Sequence, residues 1–116
     1  MMTQIYHNPR CSKSRETLAL LQEHHIEVEE IRYLDTPPTA ATIESLLKAL
    51  GFDSARQLMR QKEELYKTLN LANEQNEDAL IAAMIANPKL IERPIVVHGE
   101  KAAIGRPPAQ VLALFA

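Results

Sequence analysis

Apolar and polar positions change period several times along the chain, and each change marks an element. In Thr3-Gln4-Ile5-Tyr6-His7, β-branched and aromatic residues recur at period two, which predicts a strand. From about Ser12 to His24 the apolar residues Leu18, Leu20 and Leu21 fall at helical spacing. His24-His25 then stand where a helix C-terminus is capped. Ile26 to Tyr33 alternates again and predicts a second strand, with a slip at Glu29-Glu30 that would mark a bulge. A strand, a crossover helix and a strand in that order predict a parallel βαβ unit.

Asp35-Thr36-Pro37-Pro38-Thr39 breaks the alternation and leads into helix N-cap chemistry. From Ala40 to Asn87 the pattern is helical in pieces, with no strand candidate. Ile43, Leu46, Leu47 and Leu50 form one stripe, ended by Gly51. Ala55, Leu58 and Met59 form a shorter one. Leu80, Ile81, Met84 and Ile85 form a third, stopped by Asn87-Pro88. The last third turns back to strands. Ile95-Val96-Val97-His98, a turn at Gly99-Glu100-Lys101, and Ala102-Ala103-Ile104 predict a hairpin. Pro107-Pro108 opens a final helix with Val111, Leu112 and Phe115 on one face. The sum is an α/β chain: β-α-β, a helical insertion at about residues 40–88, then β-β-α, around a mixed sheet. That is the element order of a thioredoxin-like fold, expected as a single domain over residues 1–116.

Composition narrows the functional classes. A chain of 116 residues can bury a core as one domain, and 46% apolar residues is far from a disordered composition. A formal charge of −2 gives no reason to invoke nucleic acid or an acidic membrane surface. No apolar run approaches the roughly 20 residues that span a bilayer. The N-terminus shows no basic-then-apolar signal pattern. One cysteine cannot form an internal disulfide, so the expected setting is a reducing cytoplasm.

That one cysteine is the candidate nucleophile. Cys11 lies at a predicted strand-to-helix turn, His7-Asn8-Pro9-Arg10-Cys11-Ser12-Lys13-Ser14-Arg15, beside the unpartnered N–H groups that open the helix. Arg10, Lys13 and Arg15 add positive charge, and no acid follows Cys11 until Glu16. A thiol so placed loses its proton more readily than a free one, and the thiolate is the nucleophile. An inert core cysteine would have apolar neighbours instead. Arg93, before Pro94, and Arg106, after Gly105, sit at junctions that a thioredoxin-like arrangement brings beside the first strand's end; Arg60 lies within the insertion. Guanidinium groups suit a tetrahedral oxyanion, which they grip by paired hydrogen bonds.

Other chemistries fit poorly. A cysteine-phosphatase loop needs arginine six positions after the cysteine, where Thr17 stands. A dithiol motif needs cysteine at position 14, where Ser14 stands. His7, His24, His25 and His98 have no zinc-site spacing, so no metal is expected. Three isolated glycines make no phosphate loop.

The segment Ile5 to Arg15 resembles the signature of the glutaredoxin-dependent arsenate reductase family. So do Glu92-Arg93-Pro94-Ile95-Val96-Val97, Ile104-Gly105-Arg106-Pro107-Pro108, Tyr33-Leu34-Asp35-Thr36-Pro37-Pro38 and the region around Arg60. The resemblance implies that Cys11 attacks arsenic(V), that Arg60, Arg93 and Arg106 bind the oxyanion, and that His7 and Ser14 tune the thiolate. It also implies that Pro94 is a cis-proline. No cofactor would be bound; glutathione would be the co-substrate and glutaredoxin the partner that clears the mixed disulfide. Arg10 and Lys13 make this loop more basic than the family's small residues. Two other readings share the fold: a thiol-dependent oxidoreductase with another substrate, and a non-catalytic regulator that binds RNA polymerase. Ser14, in place of a second cysteine, argues against the regulator.

Overall fold

A computed structural model describes residues 2–116. Clustering of contacts divides the chain into two compact units: the segment up to Thr36 together with Arg93–Ala116, and Pro37–Glu92.

The first unit holds β1 (Thr3–Tyr6), α1 (Ser12–Glu23), β2 (Glu29–Ile31), β3 (Ile95–His98), β4 (Lys101–Ile104) and a final 3₁₀ helix, Pro108–Phe115. The sheet order is β2-β1-β3-β4. β1 pairs parallel with β2, and antiparallel pairing joins β1 to β3 and β3 to β4. This is the mixed sheet of a thioredoxin-like fold. Ile5, Leu21, Val96 and Val111 are fully buried together, so α1 and the 3₁₀ helix cover the same sheet face. Leu18, Ile26, Val28, Ala103, Leu114 and Phe115 pack around them. Full burial of one such side chain contributes about 1.5–3 kcal/mol, so this small cluster is a large part of what holds the unit together.

Three expectations are corrected here. The second strand is Glu29–Ile31, not Ile26 to Tyr33. β1 is only four residues long, so the ladder offers few partners. Ile26 instead closes α1, its N–H on the Leu21 carbonyl at 3.0 Å, while Asp35 and Thr36 donate to the Arg32 carbonyl in a turn. The slip at Glu29-Glu30 is no bulge: Gln4, Ile5 and Tyr6 face Glu29, Glu30 and Ile31 in unbroken register. The final helix is 3₁₀, and its three-residue turn brings Leu114 rather than Leu112 to the core with Val111. The caps behave as their residue types require. His24 ends α1 and His25 follows in the left-handed region, at φ 56°.

The second unit holds α2 (Ala40–Leu50), α3 (Glu64–Thr68) and α4 (Glu77–Ala86), with 3₁₀ turns at Ala55–Leu58, Leu71–Asn73 and Pro88–Leu90. The Thr39 hydroxyl caps α2 by accepting from Thr42 N–H, and Gly51 ends it at φ 73°. Asn76 caps α4 through the N–H groups of Asp78 and Ala79. Ile43, Leu46, Leu58, Leu80, Met84 and Leu90 are buried. Among the described residues, no helix is long and apolar enough to cross a membrane.

Candidate active site

Contacts among residues close in sequence build most of the Cys11 loop. After Tyr6 the chain leaves the ladder: His7 N–H still donates to the Ile31 carbonyl at 2.8 Å, and then Asn8-Pro9 turns it. Asn8 is the loop's organiser. Its carbonyl accepts from Cys11 N–H and its Oδ1 accepts from Arg10 N–H, both at 3.0 Å, while its own N–H donates to Ser14 Oγ at 3.0 Å. Arg15 clamps the loop from outside, its Nη1 donating to the Pro9 carbonyl at 2.9 Å. Cys11 is therefore held as the N-cap of α1, in extended geometry, with no acidic residue in the first helical turn to neutralise the helix's positive end.

The thiol is nearly buried, 8% exposed. Burial is the largest single influence on its ionisation and opposes it. The Ser14 N–H, the Arg93 guanidinium (by hydrogen bond and by charge) and the Lys13 N–H together outweigh burial and hold Cys11 below its ordinary pKa. Arg106 closes the group: its Nη2 lies 3.8 Å from Sγ, and its Nε donates to the Arg93 carbonyl at 2.7 Å. The Arg93–Pro94 peptide is cis, as is Arg106–Pro107. Arg93 Nε is buried without a hydrogen-bond partner, a guanidinium donor still to be used.

His7 and Ser14 act through different atoms. The Ser14 atom that reaches Cys11 is its backbone N–H. Its hydroxyl is engaged by His7 Nδ1 at 2.7 Å and by Asn8 N–H. Burial, with the charges of Arg32 and Arg15, lowers the His7 pKa against the opposing pull of Glu30. A ring neutral at pH 7 lends the loop a hydrogen bond and no cationic charge. Arg60 belongs to the Pro37–Glu92 unit. There its N–H donates to the Leu90 carbonyl at 2.7 Å, and its Nη1 lies 3.2 Å from both Glu63 Oε2 and the Lys89 carbonyl. Asn8 is a functional residue that the sequence pattern does not single out. Its signal is an asparagine three residues before a helix-opening cysteine.

A thiol of depressed pKa in a strand-to-helix loop, faced by two arginines from beside a cis-proline, describes a class of thioredoxin-like thiol proteins. The chain matches the ArsC family over residues 6–114 and belongs to it. It is 67% identical to the uncharacterized protein YfgD of Escherichia coli, over 93% of this chain and 92% of that one. It is 51% identical to an arsenate reductase of Neisseria meningitidis, over 89% of each chain. The solved structure of an arsenate reductase from Vibrio cholerae superposes with a TM-score of 0.94 at 54% identity, covering 97% of both chains.

Proposed function

We propose that this protein reduces arsenate to arsenite, with Cys11 as the nucleophile and glutathione and glutaredoxin as the sources of the other thiols. The observation that carries the reading is the Cys11 sulfur, held toward its thiolate by two N–H groups and Arg93, with the Arg106 guanidinium 3.8 Å away. A thiolate beside two guanidinium groups is complementary to a tetrahedral oxyanion that must be both gripped and attacked. Arg93 and Arg106 bind the arsenate oxygens. His7 and Ser14 keep the loop in the shape that presents Sγ.

The thiolate attacks arsenic(V), forming an Sγ–As bond while one arsenate oxygen leaves as water. Glutathione thiolate then attacks Sγ. The Sγ–As bond breaks, its electron pair stays on arsenic, and arsenite departs as arsenic(III). The two electrons come from Cys11 and glutathione, which remain joined as a mixed disulfide. A glutaredoxin thiolate attacks the glutathione sulfur, and Cys11 leaves as the thiolate it began as. One cysteine suffices because the second and third thiols come from partners, a scheme that fits a reducing cytoplasm.

The test is arsenate-dependent NADPH oxidation coupled through glutathione, glutathione reductase and glutaredoxin. Wild-type turnover saturates with arsenate, and Cys11→Ser abolishes it. A Cys11→Ser variant as active as wild type ends every catalytic reading. A low-pKa thiol with no arsenate-dependent rate assigns the site to another substrate.

A further inference from the structure

Of the three glycines, Gly51 and Gly99 occupy the left-handed region and Gly105 does not. Backbone freedom therefore explains the first two but not the third. Space explains it. A methyl group at Gly105 would lie 2.5 Å from Thr17 Oγ1, 3.1 Å from Thr17 Cγ2 and 2.8 Å from Pro94 Cγ. All three contacts are closer than ordinary packing permits. Neither neighbour has room to give. Thr17 is fully buried, and its hydroxyl donates to the Lys13 carbonyl at 2.8 Å. Pro94 is buried, and its carbonyl accepts the Gly105 N–H at 2.9 Å.

Thr17, Pro94 and Gly105 itself each adjoin a different arm of the sulfur site. Thr17 is bonded to the first turn of α1, whose Lys13 and Ser14 N–H groups face Sγ. Pro94 adjoins Arg93. Gly105 adjoins Arg106, whose Nε is bonded to the Arg93 carbonyl. We propose that Gly105 is a positioning residue for the Cys11 centre. With no side chain, it lets the end of β4 approach Thr17 and Pro94 closely enough for both arginines and the helix N–H groups to converge on one sulfur. This rests on the proposed role of Cys11 as a thiolate nucleophile, and it adds what sets the distances.

The experiment is the pH dependence of Cys11 alkylation by iodoacetamide in wild type, Thr17→Ala, Gly105→Ala and the Thr17→Ala/Gly105→Ala double variant. Alkylation needs neither arsenate nor glutathione, so a wild type without arsenate turnover would defeat the functional reading and leave this comparison intact. In Gly105→Ala the midpoint moves up, and alkylation below the wild-type midpoint slows by about tenfold for each unit moved. The double variant, which removes the Thr17 contacts and keeps the one with Pro94 Cγ, returns part of the way. A folded Gly105→Ala that loses melting temperature but keeps the wild-type midpoint overturns the proposal. If Gly105→Ala does not fold, the double variant decides. With the Pro94 contact left in place, a midpoint above that of Thr17→Ala alone supports the proposal, while an equal midpoint or failure to fold overturns it.

Discussion

The two units use arginine in opposite ways. In the helical unit the Arg56 guanidinium is engaged by oxygens of its own unit: the Tyr66 hydroxyl, the Leu71 carbonyl at 2.8 Å and the Glu74 carbonyl. Glu77 does comparable work, accepting from the Ser54 hydroxyl at 2.8 Å and from Ala55 N–H at 2.7 Å. Charge there ties short helices and turns that have little regular backbone pairing to hold them. In the sheet unit the ladder already holds the backbone, and although Arg15 clamps a carbonyl, Arg93 and Arg106 are left for chemistry. Arg93 keeps a buried Nε without a partner, and Arg106 reaches a sulfur. A cation whose donors are filled by carbonyls is a staple; one with donors in reserve beside a nucleophile is a ligand-binding group.

That contrast can be broken by substitution. After the complete loss expected for Cys11→Ser, the largest effect belongs to Arg93→Ala. It removes a charge-assisted donor to the oxyanion and the side chain that favours the thiolate. The expected loss in kcat/KM for arsenate is roughly 10²-fold or more, the scale for losing one such donor, and steady-state kinetics measures it. The alkylation midpoint of Cys11 should rise in the same variant. An Arg93→Ala protein with wild-type kinetics would make this arginine another staple.

Arg56→Ala should do the reverse. Losing charge-assisted bonds to two carbonyls and a hydroxyl costs about 2–4 kcal/mol in stability by urea unfolding, while the folded variant keeps the Cys11 midpoint. A shifted midpoint there would dissolve the distinction.

Linkage sharpens the same comparison at the thiol. The folded state lowers the Cys11 pKa, so its contribution to stability is present in full above the unfolded pKa, near 8.5, and is lost as pH falls through the folded value. The stability of wild type relative to Cys11→Ser should therefore increase with pH across that window in paired melts.

The smallest effect is at Glu77. The Ala55 N–H and the Ser54 hydroxyl lower its pKa against the opposing effect of burial, with a smaller contribution from the Arg56 charge. The stabilisation is present above the unfolded carboxylate pKa and disappears as pH falls through the folded one. Glu77 is exposed, so Glu77→Gln should cost under about 1 kcal/mol at pH 7 and nothing measurable in strong acid. Thermal melts at the two pH values check it.

Local chemistry alone determined much of this protein. Period-two and helical runs located β1, α1, α2, α4 and the β3–β4 hairpin, because side-chain periodicity is set by backbone geometry within each segment. Gly51, Asn87-Pro88 and His24-His25 ended helices where their backbone preferences require. The basic, acid-free run around Cys11 marked an anion-favouring helix start, since that field comes from residues adjacent in sequence. Tertiary structure decided the rest. The length of β2 depended on how much of β1 remained to pair with it. The 3₁₀ winding of Pro108–Phe115 depended on which leucine met Val111 in the core. Whether Ser14 served the sulfur with its hydroxyl or its N–H depended on where His7 came to rest. Arg93 and Arg106 are 82 and 95 positions from Cys11 in sequence, and only the pairing of β1 with β3 and of β3 with β4 brings them to its sulfur. The need for glycine at 105 is the same kind of fact, because a side chain is excluded there by atoms that the chain supplies from two distant segments.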